Sequence, residues 1–411
     1  MIRRLKVKGF KSLGEVDVHF PQMTVLFGPN AAGKSNLLDA IQALSRVGTE
    51  RTIADALAEP IRGYPIESFA FPPGGLSELL ALPRAGFLLE ADLEEGKDLF
   101  RYRVEISIHP KSGDLSVGDE YLTALTAKGD PRGVPSIEQV EGKIRIRRKS
   151  KPAHPREELP GLNHTVLSDP RLGGPEYRQV ERCRNELVGW RVYYLDPRIS
   201  MRSSKPPAQV SDIGVLGENI APFLYRLKAQ EPKHFEQVRR VLTTLIPSVE
   251  DVHVDIDERR GTLDVMIRQS GTDFSSRIIS EGTLRVLALC CIAASPWGGS
   301  LVAFEEPENG VHPRRLELIA ELLVSLATRL GKQVIVTSHS PLFCGIMVKR
   351  AKEHAGKISL LSVRQGAAGT EVSDVDIQSP LFVDQEIRTA LTDQSEERLF
   401  EELVLRGLVD G

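Results

Sequence analysis

Alternating strand and helix patterns towards both ends of the chain predict an α/β protein, a mixed sheet with covering helices that carries a mixed α/β insertion. Two further observations sharpen this. A glycine-rich loop stands between an apolar strand and an amphipathic helix, and a second apolar strand ends in adjacent carboxylates. The 411 residues are 41% hydrophobic, enough for a large core and, by length, for two or three domains. A formal charge of -3 argues against a protein coated in nucleic acid but leaves room for a local basic patch. Cys183, Cys290, Cys291 and Cys344 have neither metal-ligand nor disulfide spacing and read as reduced core thiols of a cytosolic protein. The N-terminus alternates charged and apolar residues, and the longest apolar run, 286–294, is too short for a bilayer, so no membrane contact is expected.

Taken in order, "RLKVKGF" and "EVDVHF" alternate with period two around a turn at 9–14 and predict neighbouring strands. "MTVLF" is apolar throughout, as a strand buried on both faces requires. "GPNAAGKS" follows, then "NLLDAIQALSRV", where Leu37, Leu38, Ile41 and Leu44 share one helical face. Pro- and Gly-rich sequence to about residue 85 reads as irregular connection, and "LFRYRVEISI" as a strand. Residues 111–245 change character, with Gly/Pro punctuation, a basic tract and helical patterns at "EYRQVERCRNELVGW" and "HFEQVRRVLTTLI". From 249, "VEDVHVDID" and "GTLDVMIR" predict strands and "SEGTLRVLALCCIAA" a helix; "SLVAFEE", "KQVIVTS" and "KISLLSV" predict strands around a helix starting at Pro313. The expected division is 1–110, a first lobe with the glycine loop; 111–245, a partly helical insertion; and 246–411, a second lobe.

The loop fits G-x-x-x-x-G-K-[ST] at every fixed position, in the strand-loop-helix context the motif needs. Backbone N–H groups and the helix N-terminus favour a phosphate chain there, Lys34 reaches the terminal phosphates, and the Ser35 hydroxyl can coordinate Mg²⁺. ATP or GTP is the expected ligand. Alone, "EE" at the end of "LVAFEE" also reads as a solvated strand end. Beside a phosphate loop it supplies two roles: Glu305 holds Mg²⁺, directly or through water, and Glu306 acts as general base on the attacking water. Adjacent strand residues point to opposite faces, so two acids suit two roles.

In the order "GFKS", "GPNAAGKSN", "SEGTLR", "FEEPENGVHP" and "TSHS", the chain resembles ABC-type P-loop ATPase heads of the RecF and SMC class, and especially predicted ATPases related to OLD-family proteins. The resemblance covers about 1–110 and 250–345. It implies an ABC-ATPase-like head using ATP and Mg²⁺, with Asn30, Gly33, Lys34, Ser35 and Asn36 at the nucleotide and Lys11 and Ser12 near it. It also implies that Ser280, Gly282 and Thr283 form a signature touching ATP held by another subunit, that His339 senses the γ-phosphate, and that His312 lies in a subunit-contact element. Ser280 also suits an ordinary helix cap, and His312 also suits a plain helix start at Pro313. Ala31 stands where the family has a second glycine and is expected to fit only with negative φ. The glutamine coupling the lobes is unassigned, and 135 residues of insertion without heptads are too few for a long coiled coil.

The split between loop and signature implies a homodimer, or a higher oligomer, assembled on ATP. The basic tract, with Lys143, Arg145, Arg147, Arg148 and Lys149, is the candidate DNA or RNA surface, although it also reads as a solvated hairpin face. The expected function is an ATP-driven switch in DNA maintenance or anti-phage defence that binds nucleic acid or controls a separate effector, such as a nuclease. A stand-alone OLD-like nuclease, hinted at by Asp374 and Asp376, and the motor subunit of a membrane transporter are the alternatives. The tail, with Leu399, Leu403 and Leu405, reads as an amphipathic helix.

Overall fold

The structure, a computed structural model, describes residues 1–367 and 369–375. β1 (Ile2–Phe10) and β2 (Leu13–His19) form the expected antiparallel pair, Val7 opposite Val16. β3 (Met23–Phe27), buried at every position, leads through the glycine loop into α1 (Lys34–Val47). Two short helices, α2 (Ile53–Leu57) and α3 (Gly75–Ala81), precede six strands: β4 (Ala85–Glu95), β5 (Asp98–His109), β6 (Asp114–Leu125), β7 (Pro131–Val140), β8 (Lys143–Ile146) and β9 (Arg156–Glu158). Next come α4 (Arg178–Val188), β10 (Trp190–Tyr193), α5 (Ile220–Gln230), α6 (Pro232–Leu245) and the strands β11 (Asp251–Asp257), β12 (Thr262–Gln269) and β13 (Thr272–Ser275). The remainder runs α7 (Glu281–Ala294), β14 (Leu301–Glu305), α8 (Leu316–Thr328), β15 (Gln333–Ser338), α9 (Pro341–Glu353), β16 (Ile358–Gly366) and β17 (Gly369–Asp374).

The chain divides into two compact units that do not follow the expected boundaries. The first holds Met1–Pro21, Gly28–Trp190 and Leu361–Val375; the second holds Gln22–Phe27 and Arg191–Leu360. No division falls at residue 110, because β5 and β6 are a continuous antiparallel hairpin with Ser107 opposite Ser116. Nor does one fall at 245, because α6 packs against α7 within the second unit.

The first unit is built on an eight-stranded sheet in the order β2-β1-β4-β5-β6-β7-β8-β9. Alternate residues of its long strands, Phe87, Leu89 and Ala91 on β4 and Tyr102, Val104 and Ile106 on β5, are buried, as period-two patterning requires. Fully buried Glu120 on β6 accepts hydrogen bonds from the backbone N–H groups of Val166 (2.6 Å) and Leu167 (2.8 Å) and from the Tyr102 hydroxyl (3.1 Å). It clips an irregular segment to the sheet, and burial pushes its carboxyl up to about 7. Residues 361–374 close as a hairpin, and Thr370 N–H donates to the Ser12 carbonyl at 2.8 Å.

In the second unit β14, β15 and β3 lie side by side and parallel, with β10 beyond β14 and the start of β16 beyond β3. Their apolar residues, among them Val302, Phe304, Ile335 and Val25, are almost wholly buried, the pattern of a parallel sheet covered on both faces. Glu305 pairs with Thr337 and Ser338 with Phe27, so the three strands finish at one edge, from which the glycine loop departs. All four cysteines are free and buried, and burial raises the thiol pKa of Cys183, Cys290 and Cys291. Among the described residues no helix is long and apolar enough to cross a membrane.

Candidate functional site

The glycine loop, within the first unit, closes on itself. Buried Lys34 donates from Nζ to the carbonyls of Gly28 (2.6 Å) and Pro29 (2.7 Å). Gly33 caps α1 with φ 102°, and a Cβ there would lie 2.1 Å from Thr370 Oγ1, so neither the dihedral nor the space admits a side chain. Ser35 follows in the first turn of α1, half-buried, while Asn30 is exposed at the loop tip. Ala31 departs from expectation. Its φ is 64°, in the left-handed region, so its methyl group is tolerated by the turn at a cost of roughly 1–2 kcal/mol rather than by a negative φ.

Lys11, Ser12 and Asn36 are brought together, but by one another. Lys11 Nζ donates to fully buried Asp39 at 2.6 Å, a carboxylate shared with Arg62, and Asn36 Nδ2 donates to Ser12 Oγ at 2.7 Å. Ser12 Oγ also lies 2.7 Å from Thr370 Oγ1. This network ties the β1–β2 turn, α1 and β17 behind the loop.

In the second unit the two proposed catalytic groups meet: His339 Nδ1 lies 2.7 Å from Glu306 Oε1. An ionised carboxylate has no proton to give, so in a neutral His339 ring this pairing makes Nδ1–H the donor and leaves Nε2 as the acceptor. Glu306 has φ 45°, a left-handed conformation held by its N–H to the Thr337 carbonyl and hydroxyl (3.2 Å each). Backbone strain of this kind collects at functional positions. Glu305, one residue earlier, ends β14 half-buried.

The residue that sequence reasoning passed over is Glu308. It is 5% exposed, its Oε1 accepts a hydrogen bond from the Ser338 hydroxyl, and its Oε2 is buried without a partner. Burial pushes its carboxyl up to about 7, and the Glu306 charge adds to the shift. Half-buried Arg285, whose pKa burial lowers, feels the charges of Glu281, Glu306, Asp196 and Glu308. The signal was the third acid of "EEPE"; its role depends on burial that no local pattern carries.

The candidate signature residues open α7, where the Ser280 side chain caps the helix by accepting from Thr283 N–H at 3.2 Å. Ser280 is exposed, whereas Gly282 and Thr283 are buried. A Cβ on Gly282 would lie 2.3 Å from the Gly310 carbonyl, so this glycine permits α7 to rest on the loop after the paired acids. His312 accepts at Nδ1 from Arg314 N–H (3.3 Å), capping the turn that Pro313 begins.

The basic tract is partly neutralised. On β8, Lys143 pairs with Glu157, and Arg145 with Glu141 (3.0 Å) and Glu157 (3.4 Å); Arg147 pairs with Glu138. Arg148 and Lys149 make no ion pair among the described residues. Asp374 is exposed on β17, while Asp376, Leu399, Leu403 and Leu405 lie outside the described residues.

No group of three or more His, Cys, Asp or Glu side chains able to hold a metal occurs among the described residues. Magnesium on a nucleotide needs only one or two protein oxygens beside phosphates and waters. The Ser35 hydroxyl and Glu305 carboxylate are donors of that hard type, so the residues present fit it.

Among solved structures, an Smc head domain from Pyrococcus furiosus bound to the C-terminal domain of ScpA aligns with 94% of this chain and 99% of its own, at 13% identity and TM-score 0.49. The SMC head domain from Thermotoga maritima aligns with 91% and 99%, at 15% identity and TM-score 0.42. Among curated proteins, the DNA replication and repair protein RecF of Halalkalibacterium halodurans is 42% identical over 55 residues, 13% of this chain and 15% of that protein. RecF of Ligilactobacillus salivarius matches equally over 13% and 14%. The matched segment thus spans a small part of these relatives. A family described as "AAA domain, putative AbiEii toxin, Type IV TA system" matches residues 23–345, from β3 through the glycine loop, signature and paired acids to His339. That match covers most of the chain, so the chain belongs to this AAA-domain family, with the phosphate-loop motif at Gly28–Ser35 inside the matched residues.

Proposed function

We propose that this chain hydrolyses Mg-ATP and acts as a switch, joining a second copy of itself when ATP is bound and releasing it on hydrolysis. The observation that carries the reading is the pairing of His339 Nδ1 with Glu306 at 2.7 Å. Glu306 removes a proton from the water attacking the γ-phosphate, and His339 orients that carboxylate while its free Nε2 accepts a hydrogen bond at the phosphate end. Lys34 exchanges its two loop carbonyls for phosphate oxygens, and the backbone amides entering α1 face the same anion. Ser35 and Glu305 would hold Mg²⁺, which supplies charge neutralisation between the phosphates.

Exposed Ser280 presents its hydroxyl for a nucleotide on the second copy; buried Gly282 and Thr283 shape the turn that holds it. Such a head acts by controlling something else. DNA, or a separate effector in DNA maintenance or phage defence, suits the RecF-like segment.

The test is the solution mass of the Glu306→Gln protein with and without Mg-ATP. A doubling or more on Mg-ATP, abolished by Lys34→Ala, is the expected result. An unchanged mass would remove the dimerising switch while leaving hydrolysis to be assayed separately. Adding labelled duplex DNA decides whether the assembly retains nucleic acid or acts through protein.

A further inference from the structure

The first unit contains a cavity of about 760 Å³ remote in sequence from the glycine loop, walled by the start of β5, the end of β6, β7, the segment after β8 and the first turn of α4. Its lining carries seven basic side chains and two acids. Both acids are engaged. Asp98 and Glu95 take the guanidinium of Arg182, and Glu176 accepts from the Ser150 hydroxyl and N–H. Arg147 pairs with Glu138. That leaves Lys97, Arg132, Arg148, Lys149 and Arg178 facing one concavity with no ion pair among the described residues. Arg148 Nε is also buried without a hydrogen-bond partner.

Five cations without an ion pair, offset in part by the Glu176 charge that acts on Arg148 and Lys149, repel one another, and a buried guanidinium N–H left unbonded costs roughly 1–3 kcal/mol. A cavity with low-dielectric walls and charge of one sign focuses its potential inward. The volume lies in the range of about 300–1,000 Å³ typical of small-ligand sites. A ligand that relieves both penalties must carry several negative charges and many acceptor oxygens within a compact body, which is the chemistry of a chain of phosphates.

We propose that this cavity binds a small, multiply phosphorylated ligand, a nucleotide or a free polyphosphate. The alternative is a nucleic-acid backbone, which is held by cations strung along an open surface. Here the positions that would extend such a row, Lys143 and Arg145 on β8, are occupied by Glu157 and Glu141. The row along β8 is thus neutralised, while five cations of the concavity make no ion pair among the described residues, which favours the compact ligand. The proposal does not depend on the ATPase cycle.

Calorimetric titration with inorganic tripolyphosphate tests it on the full chain. The unaltered protein should show two sites, one at the glycine loop and one in the cavity. Lys34→Ala should leave the cavity site alone, so failure at the loop and failure here are told apart. In the Lys34→Ala background, Arg148→Ala with Arg178→Ala should weaken the remaining site tenfold or more, whereas Lys143→Ala should not change it. Lys149 and Arg178 are exposed, so Lys149→Ala with Arg178→Ala gives a second pair that should fold and weaken binding in the same direction. ATP in place of tripolyphosphate then names the source: tighter binding indicates a nucleotide, equal binding a free polyphosphate. No binding to the Lys34→Ala protein, or binding indifferent to both arginine and lysine substitutions, overturns the proposal. Duplex DNA binding that is lost in those variants while tripolyphosphate does not bind would give the surface to nucleic acid instead.

Discussion

At the scale of single residues, the acids after β14 divide their work by environment. Glu306 is held in a left-handed turn against His339, while Glu308, two residues on, is buried and keeps its proton up to about pH 7 instead of 4.5. Between those values the folded chain therefore binds more protons than the unfolded chain. Stability contributed by neutral Glu308 is full below pH 4.5 and is lost as pH rises towards 7. The loss amounts to about 3 kcal/mol at most. Glu308→Gln keeps an acceptor for the Ser338 hydroxyl and cannot ionise. Chemical denaturation at pH 5 and pH 8 should show the unaltered protein losing stability that the variant keeps; parallel losses would refute the assignment. Ionised Glu308 also places a second negative charge near Glu306, so the variant's hydrolysis should change less across the same range.

At the scale of elements, what could be read from the sequence was local. The strand-loop-helix of "MTVLFGPNAAGKS", the β1–β2 hairpin and the capped start of α7 each announce themselves in a few neighbouring residues. Three things did not. The strands β6 to β9 lie in the stretch read as a partly helical insertion, and their membership of the sheet that begins with β1 and β2 depends on partners far along the chain. Ala31 adopts a left-handed φ because the loop around it imposes it, against the preference of its own side chain. The basic tract read either as a nucleic-acid surface or as a solvated hairpin face, and the acids that neutralise it, Glu138, Glu141 and Glu157, were not legible beside it because they enter through strand pairing and a turn. Glu120 is the sharpest long-range case. Replacing it by alanine strands two buried amides, at Val166 and Leu167, and should cost about 3 kcal/mol. Hydrogen exchange at those two amides should accelerate strongly; protection equal to that of the unaltered chain would show that the clip does not hold the segment.

At the scale of the whole molecule, the two compact units are interleaved in sequence. The second takes β3 from the N-terminal region, where it lies between β15 and β16, and the first takes back residues 361–375. Neither is a contiguous piece, although 28–190 and 191–360 suggest an obvious cut. Residues 191–360 expressed alone lack the strand that pairs with β15 and should fail to form a cooperative unit, whereas adding residues 22–27 through a linker should restore one. A sharp thermal transition for 191–360 alone would show that β3 is dispensable.

The buried cysteines acquire a use from this arrangement. Cys183 belongs to the first unit and Cys290, Cys291 and Cys344 to the second, and none is accessible in the native chain. Thiol reagents therefore remain silent until a unit opens. The molecule carries its own clocks, one in the first unit and three in the second, and the order in which they start under denaturant would report which unit yields first.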